Sequence, residues 1–159
     1  MRLAMTTLLI LLVASVAMAD KIPFRTCDPC VGIAGEIFPT LDWQILSGEY
    51  LGDDNSAFQF CAVAGETYTF SFCQGGGTAD YDTALSIQGP DACGEYLECN
   101  DDTCGLLSEV VFVAPADGNY IVSIDAYSAD MGLYDMAYMG MPCTTATAEE
   151  TWGTLKSLY

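Results

Sequence analysis

Between residues 55 and 139 apolar and polar side chains alternate with a period of two, and turn residues interrupt the pattern at short intervals. Phe58 and Phe60 flank Gln59, Tyr68, Phe70 and Phe72 flank Thr69 and Ser71, and Leu85 and Ile87 flank Ser86. Tyr120, Val122 and Ile124 follow, with Ser123 and Asp125 in the opposite phase. A strand sends successive side chains to opposite faces, so this pattern makes one face apolar and the other polar. Residues 110–113 form a continuous apolar run, mostly β-branched, and 133–139 is a last candidate strand. The punctuation is turn chemistry: Ala64-Gly65-Glu66, Gln74-Gly75-Gly76-Gly77, Gly89-Pro90-Asp91, Pro115-Ala116-Asp117-Gly118 and residues 128–132. No helical periodicity is sustained between these runs. The pattern predicts an all-β fold, an antiparallel β-sandwich of jelly-roll type. Residues 31–38 are expected to add an edge strand, and 47–55 read as a loop.

The first nineteen residues have the pattern of a secretory signal peptide: Arg2, an apolar stretch over 8–13, and Ala17-Met18-Ala19 before the expected cleavage point. The apolar run is short for a membrane span. An uncleaved anchor is the alternative. Removal of this leader leaves Lys21, Arg25 and Lys156 as the basic residues against 22 acidic ones; the whole chain carries a net charge of −18. That field repels phosphate backbones and anionic lipid, which argues against nucleic-acid partners and, after cleavage, against membranes. The expected organisation is a leader (1–19), an N-terminal segment with edge strand and loop (20–55), a sandwich core (56–141), and a linker with a short tail (142–159). Trp152, Leu155 and Leu158 or Tyr159 share one helical face of that tail, either a frayed end or a docking peptide.

The eight cysteines, Cys27, Cys30, Cys61, Cys73, Cys93, Cys99, Cys104 and Cys143, all follow the leader. An even count behind a signal peptide points to disulfides in an oxidising compartment, so the sandwich is expected to be disulfide-stapled. Connectivity does not follow from spacing, although a local pair such as Cys93–Cys99 suits it. Cys27-Asp28-Pro29-Cys30 has redox spacing but lacks a strand-then-helix setting, and reads as a structural disulfide. Zinc is disfavoured because the chain has no histidine and no second CxxC.

The order GETYTFSFC, YDTALSI, CNDDTCG, SEVVFVAPADGNYIVSIDAY and GLYDMAY resembles the bacterial pre-peptidase C-terminal domain over roughly residues 56–140. Its specific elements are Asp82-Thr83 before a strand, Asn100-Asp101-Asp102 in a later loop, and the run Ala114-Pro115-Ala116-Asp117-Gly118-Asn119-Tyr120. The resemblance implies a secreted, non-catalytic β-sandwich module. Some members of that family bind calcium or help attach to insoluble substrates. No catalytic domain accompanies this chain, so a free-standing module is expected, and its extra cysteines are similar to those of a cysteine-rich branch.

Two sets of residues are candidates for chemistry. Calcium takes about six to eight oxygens, and Asp80, Asp82, Asn100, Asp101 and Asp102 supply them if their loops meet at one end of the sandwich. The alternative is that Asp82 and Asn100 cap turns by bonding backbone amides. Asp53-Asp54-Asn55 reads as a solvated loop, and no EF-hand spacing is present. Tyr50, Tyr81, Tyr96 and Tyr127 fall near loops and are candidates to stack on a ligand, against core packing as the alternative. Without histidine, Ser-His-Asp and Cys-His catalysis is excluded. A carboxylate pair of glycosidase type is the remaining route, but abundant acids are not positioned acids. Gly75-Gly76-Gly77 lacks the Lys-Ser/Thr of a phosphate loop. No enzymatic activity is expected. The sequence points to an extracellular binding or attachment module, secreted or held at the cell surface, with a protein or polysaccharide surface as partner and calcium as its only candidate cofactor. A structural component of a surface assembly, docked through the tail, is the second reading.

Overall fold

The structure, a computed structural model, describes residues 30, 32–52, 56–89, 93, 96–127 and 130–143. The expected leader, Cys27, the Asp53-Asp54-Asn55 triplet and the tail from residue 144 lie outside them. The strands are β1 (Gly35–Glu36), β2 (Gln44–Tyr50), β3 (Ala57–Ala62), β4 (Thr67–Ser71), β5 (Thr78–Ala79), β6 (Thr83–Gln88), β7 (Tyr96–Asn100), β8 (Glu109–Val113), β9 (Gly118–Ala126) and β10 (Gly132–Gly140). One sheet has the order β1-β3-β9-β6-β7 and the other β2-β10-β4-β8, with β5 also paired to β10. All pairings are antiparallel except β1 with β3.

The period-two reading places the core. Phe60, Tyr68, Phe70, Phe72, Leu85, Ile87, Val110, Phe112, Tyr120, Val122 and Ile124 are buried together between the sheets. Phe60 stands at the centre: its ring lies 5.4 Å from Tyr68, 4.9 Å from Phe70, 6.3 Å from Phe112 and 6.1 Å from Tyr120. Tyr68 lies across Gly140, its register partner, where a Cβ would sit 2.2 Å from the ring. Only glycine admits that approach.

The sequence misreads two regions. Of the loop expected over 47–55, residues 47–50 belong instead to the strand β2, which forms seven register pairs with β10. The expected edge strand over 31–38 shrinks to Gly35–Glu36, bonded to β3 through Ala34 and Ile37 on either side. The first sheet also buries part of its second face. Every residue of β6 is buried, including Ser86 and Gln88. Cys30, Cys93, Ala57 and Ile121 form a smaller cluster on that side. There the Cys30 amide donates to Gln88 Oε1, and Gln88 Nε2 donates to Ser86 Oγ, so the buried amide is satisfied.

The disulfides are long-range. Cys30 pairs with Cys93, Cys61 with Cys143, and Cys73 with Cys104, and Cys99 is disulfide-bonded as well. This corrects both local expectations. Cys30 cannot close a bridge within the CxxC, and Cys93 cannot pair with Cys99, because both are spent on joining the N-terminal segment to the loop before β7.

Candidate functional site

Asp82 and the 101–108 loop do meet, at one end of the first sheet. The register Leu85↔Asn100 carries the strand after Asp82 alongside the strand that leads into Asp101 and Asp102. Thr83 is the post that holds this end. Its amide donates to the Leu106 carbonyl at 3.0 Å, and its Oγ1 accepts the Ser108 amide at 2.9 Å. Ser108 is fully buried and its hydroxyl donates back to the Thr83 carbonyl. Asn100 Oδ1 accepts from Thr103 Oγ1 at 2.7 Å and from the Glu109 amide at 3.3 Å. The Asp-Thr and Asn-Asp-Asp elements are therefore first of all loop architecture.

The five candidate calcium ligands do not form one shell. Asp80 is drawn away, its Oδ1 accepting the Leu133 amide at 2.8 Å, and the Asn100 oxygen is already engaged. Among the described residues no three His, Cys, Asp or Glu side chains converge as metal ligands would. Asp82, Asp101 and Asp102 do share a field, to which the structure adds Asp130, a residue the sequence reading passed over. Partial burial and then the charges of Asp102, Asp130 and Asp101 push the Asp82 carboxyl above its ordinary range. Calcium at these three carboxylates is thus a proposal separate from the fold.

That shift makes a prediction with a definite sign. An acid whose folded pKa exceeds its unfolded one contributes stability that is complete below the ordinary value of 3.8 and is lost as pH rises through the folded value. Asp82→Asn is expected to melt above the native protein at pH 7, by less than about 1 kcal/mol, with the gap closing toward pH 3. Melts in chelator measure this; a lower midpoint for the variant at pH 7 would refute it. If calcium raises the native midpoint and not that of the variant, an ion neutralises the cluster.

A concavity among the described residues lies elsewhere. A shallow groove of about 330 Å³ is lined by Ser47, Gly48, Thr78, Ala79, Asp80, Leu133, Tyr134 and Asp135. Register explains it: Asp135 of β10 faces Ser47 of β2 on one side and Thr78 of β5 on the other. Ser47 Oγ donates to Asp135 Oδ1. Two acidic residues, three hydroxyl-bearing ones and the exposed Leu133 thus line one depression. Sequence reasoning missed it because Ser47 was placed in a loop, although an Asp between Leu133 and Ala137 was a polar break in an apolar strand.

The four candidate tyrosines separate into two kinds. Tyr81 is buried and stacks on the half-buried Tyr50 with ring centroids 5.7 Å apart, so these two pack into the sandwich and present no open ring to a ligand. Burial, then Tyr134 and Tyr50, push the Tyr81 hydroxyl far above its usual range. Tyr96 and Tyr127 are exposed, but they stand at opposite ends of β6: Tyr96 pairs with Gln88, and the Tyr127 amide donates to Asp82. They do not form one stacking platform.

The charge is one-sided. Arg2, Lys21, Arg25 and Lys156, which are all the basic residues of the chain, lie outside the described residues. The described sandwich therefore carries carboxylates with no cationic side chain among them.

The fold is shared with solved structures. The PliG protein of Aeromonas hydrophila, a periplasmic lysozyme inhibitor of g-type lysozyme, aligns with a TM-score of 0.51 at 17% identity, over 69% of this chain and 97% of that one. The pre-peptidase C-terminal domain of a Bacillus anthracis collagenase aligns with a TM-score of 0.51 at 14% identity, over 67% and 94%. The second is the domain type that the sequence resembles, and the β-sandwich is common to all three. No protein-family model and no curated protein sequence matches the chain.

Proposed function

We propose that the chain is a secreted, non-catalytic binding module whose acidic sandwich engages a basic extracellular protein. The observation that carries this reading is the charge balance of the chain, 22 acidic residues against four basic ones for a net charge of −18. Such a field raises the encounter rate with a cationic partner and repels anionic ones. The groove beside Asp80 and Asp135 suits a lysine or arginine side chain, with Leu133 and Ala79 to cover its aliphatic stem. A protein ligand is favoured over a polysaccharide because Tyr96 and Tyr127 stand apart. One protein of this fold is an inhibitor of g-type lysozyme, which is in keeping with a protein ligand. Long-range disulfides suit an oxidising, extracytoplasmic setting.

The test is a binding panel of basic, neutral and acidic secreted proteins, with g-type lysozyme included, against the immobilised oxidised chain. At least one basic protein is expected to saturate the surface at a one-to-one ratio, and its affinity should fall as salt shortens the screening length. Asp135→Lys should weaken that binding by about tenfold or more. Saturation by none of the basic proteins, or an unchanged affinity for Asp135→Lys, would overturn the reading.

A further inference from the structure

The edge strand β8 carries backbone groups that no other strand uses among the described residues. Phe72 donates its amide to the Ser108 carbonyl at 3.0 Å, and Ala114 donates to the Glu66 carbonyl at 3.0 Å and accepts from the Gly65 amide at 2.8 Å. Residues 108 and 114 therefore bond toward β4. With the register Val110↔Phe70 and Phe112↔Tyr68, alternation assigns 110 and 112 to the same side. The odd residues face the other way. Glu109 shows it directly: its amide donates to Asn100 Oδ1 and its carbonyl accepts from Thr103 Oγ1, both away from β4. The amides and carbonyls of Val111 and Val113 then point off the edge of the sheet, where β8 ends the strand order.

Edges of this kind are usually blunted by lysine, proline or a bulge, since unpaired backbone groups are a template for another strand. This edge has none of these between Glu109 and Val113. Instead it presents two β-branched side chains, Val111 at 54% exposure and Val113 at 56%. The other edges differ. β7 has an irregular register at Ile87/Gln88 and carries the disulfide-bonded Cys99, β1 is two residues long, and β2 has Gly48 within it.

Charge selects the occupant. Asp101, Asp102 and Glu109 stand at one end of β8, and Glu66 and Asp117 lie around the turn at the other. Antiparallel pairing with a second copy would bring the acidic end of each β8 to the acidic end of its partner, between chains of net charge −18. We propose that β8 is an augmentation site for an extended, basic segment of another protein, whose backbone pairs with Val111 and Val113. Apolar side chains of that segment cover the two valines while its cations meet the acidic ends. This rests on the protein-binding reading above and names the edge that does the binding.

The probe is a capped eight-residue peptide of alternating lysine and valine, titrated into the isotopically labelled full chain. Saturable amide shifts centred on Val111 and Val113 are expected. Val111→Pro removes an outward amide at a position that gives β4 no hydrogen bond, so folding is retained while peptide affinity falls by about tenfold or more. Should that variant misfold, Val113→Lys keeps the amide and sets a cation against the peptide; a loss of about fivefold or more is expected, with a glutamate-valine peptide now gaining. Shifts centred elsewhere, no effect of either variant, equal binding of the glutamate-valine peptide to the native chain, or a native dimer abolished by Val111→Pro would each overturn the proposal. If a basic protein binds Val111→Pro as it binds the native chain but loses Asp135→Lys, the edge proposal fails while the protein-binding reading stands. If the peptide binds at β8 and no basic protein does, that reading fails alone.

Discussion

Phe60→Ala is expected to destabilise the protein by about 3–5 kcal/mol, measured as a shift in urea midpoint with disulfides intact. Phe60 is 1% exposed and belongs to β3 of the first sheet. Three of its four ring neighbours, Tyr68, Phe70 and Phe112, come from β4 and β8 of the second sheet. Truncation removes buried apolar surface and leaves a cavity that neighbours on two separately hydrogen-bonded sheets cannot close without shifting strands. Leu133→Ala is the control: Leu133 is 61% exposed, and its loss should stay within about 0.5 kcal/mol. A Phe60→Ala penalty below about 1 kcal/mol would mean that the two sheets are not joined through this ring cluster.

Removing the Cys61–Cys143 bridge, by replacing both residues with alanine, is expected to cost about 4.5 kcal/mol on the chain-entropy account. The bridge spans 82 residues and ties the segment after β10, in the second sheet, to β3 in the first. Removing Cys73–Cys104, which spans 31 residues, should cost about 3.7 kcal/mol. The ordering is the informative part, since loop-closure entropy grows with loop length. Thermal melts of the two double variants, each with its other bridges oxidised, measure it. A larger loss from the shorter bridge would show that packing around Cys73, and not loop closure, sets the contribution.

The core was legible because its signal is local. Tyr68, Phe70 and Phe72 recur every second residue, and each is fully buried; the same holds for Leu85 with Ile87 and for Tyr120 with Val122. Asp82-Thr83 and Asn100-Asp101-Asp102 were legible as landmarks but not in their work, because Thr83 acts through Ser108, twenty-five residues further on. β2 was not legible: its alternation is broken by Gly48, and what makes it a strand is pairing with β10 far along the chain. The groove escaped for the same reason, being assembled from β2, β5 and β10.

Side-chain periodicity, turn chemistry, the even cysteine count and the charge balance are properties of neighbours in the chain. They suffice to specify an acidic, disulfide-stapled all-β protein and to say which side chains face inward. Pairing is not such a property. Which cysteines meet, why Ser86 and Gln88 are buried, where Asp135 faces Ser47, and which strand is left at the edge with outward valines all depend on contacts between residues distant in sequence. Period-two alternation tells a strand which face to bury, but only the closed sandwich determines which strand lies beside it and which backbone groups remain for a partner.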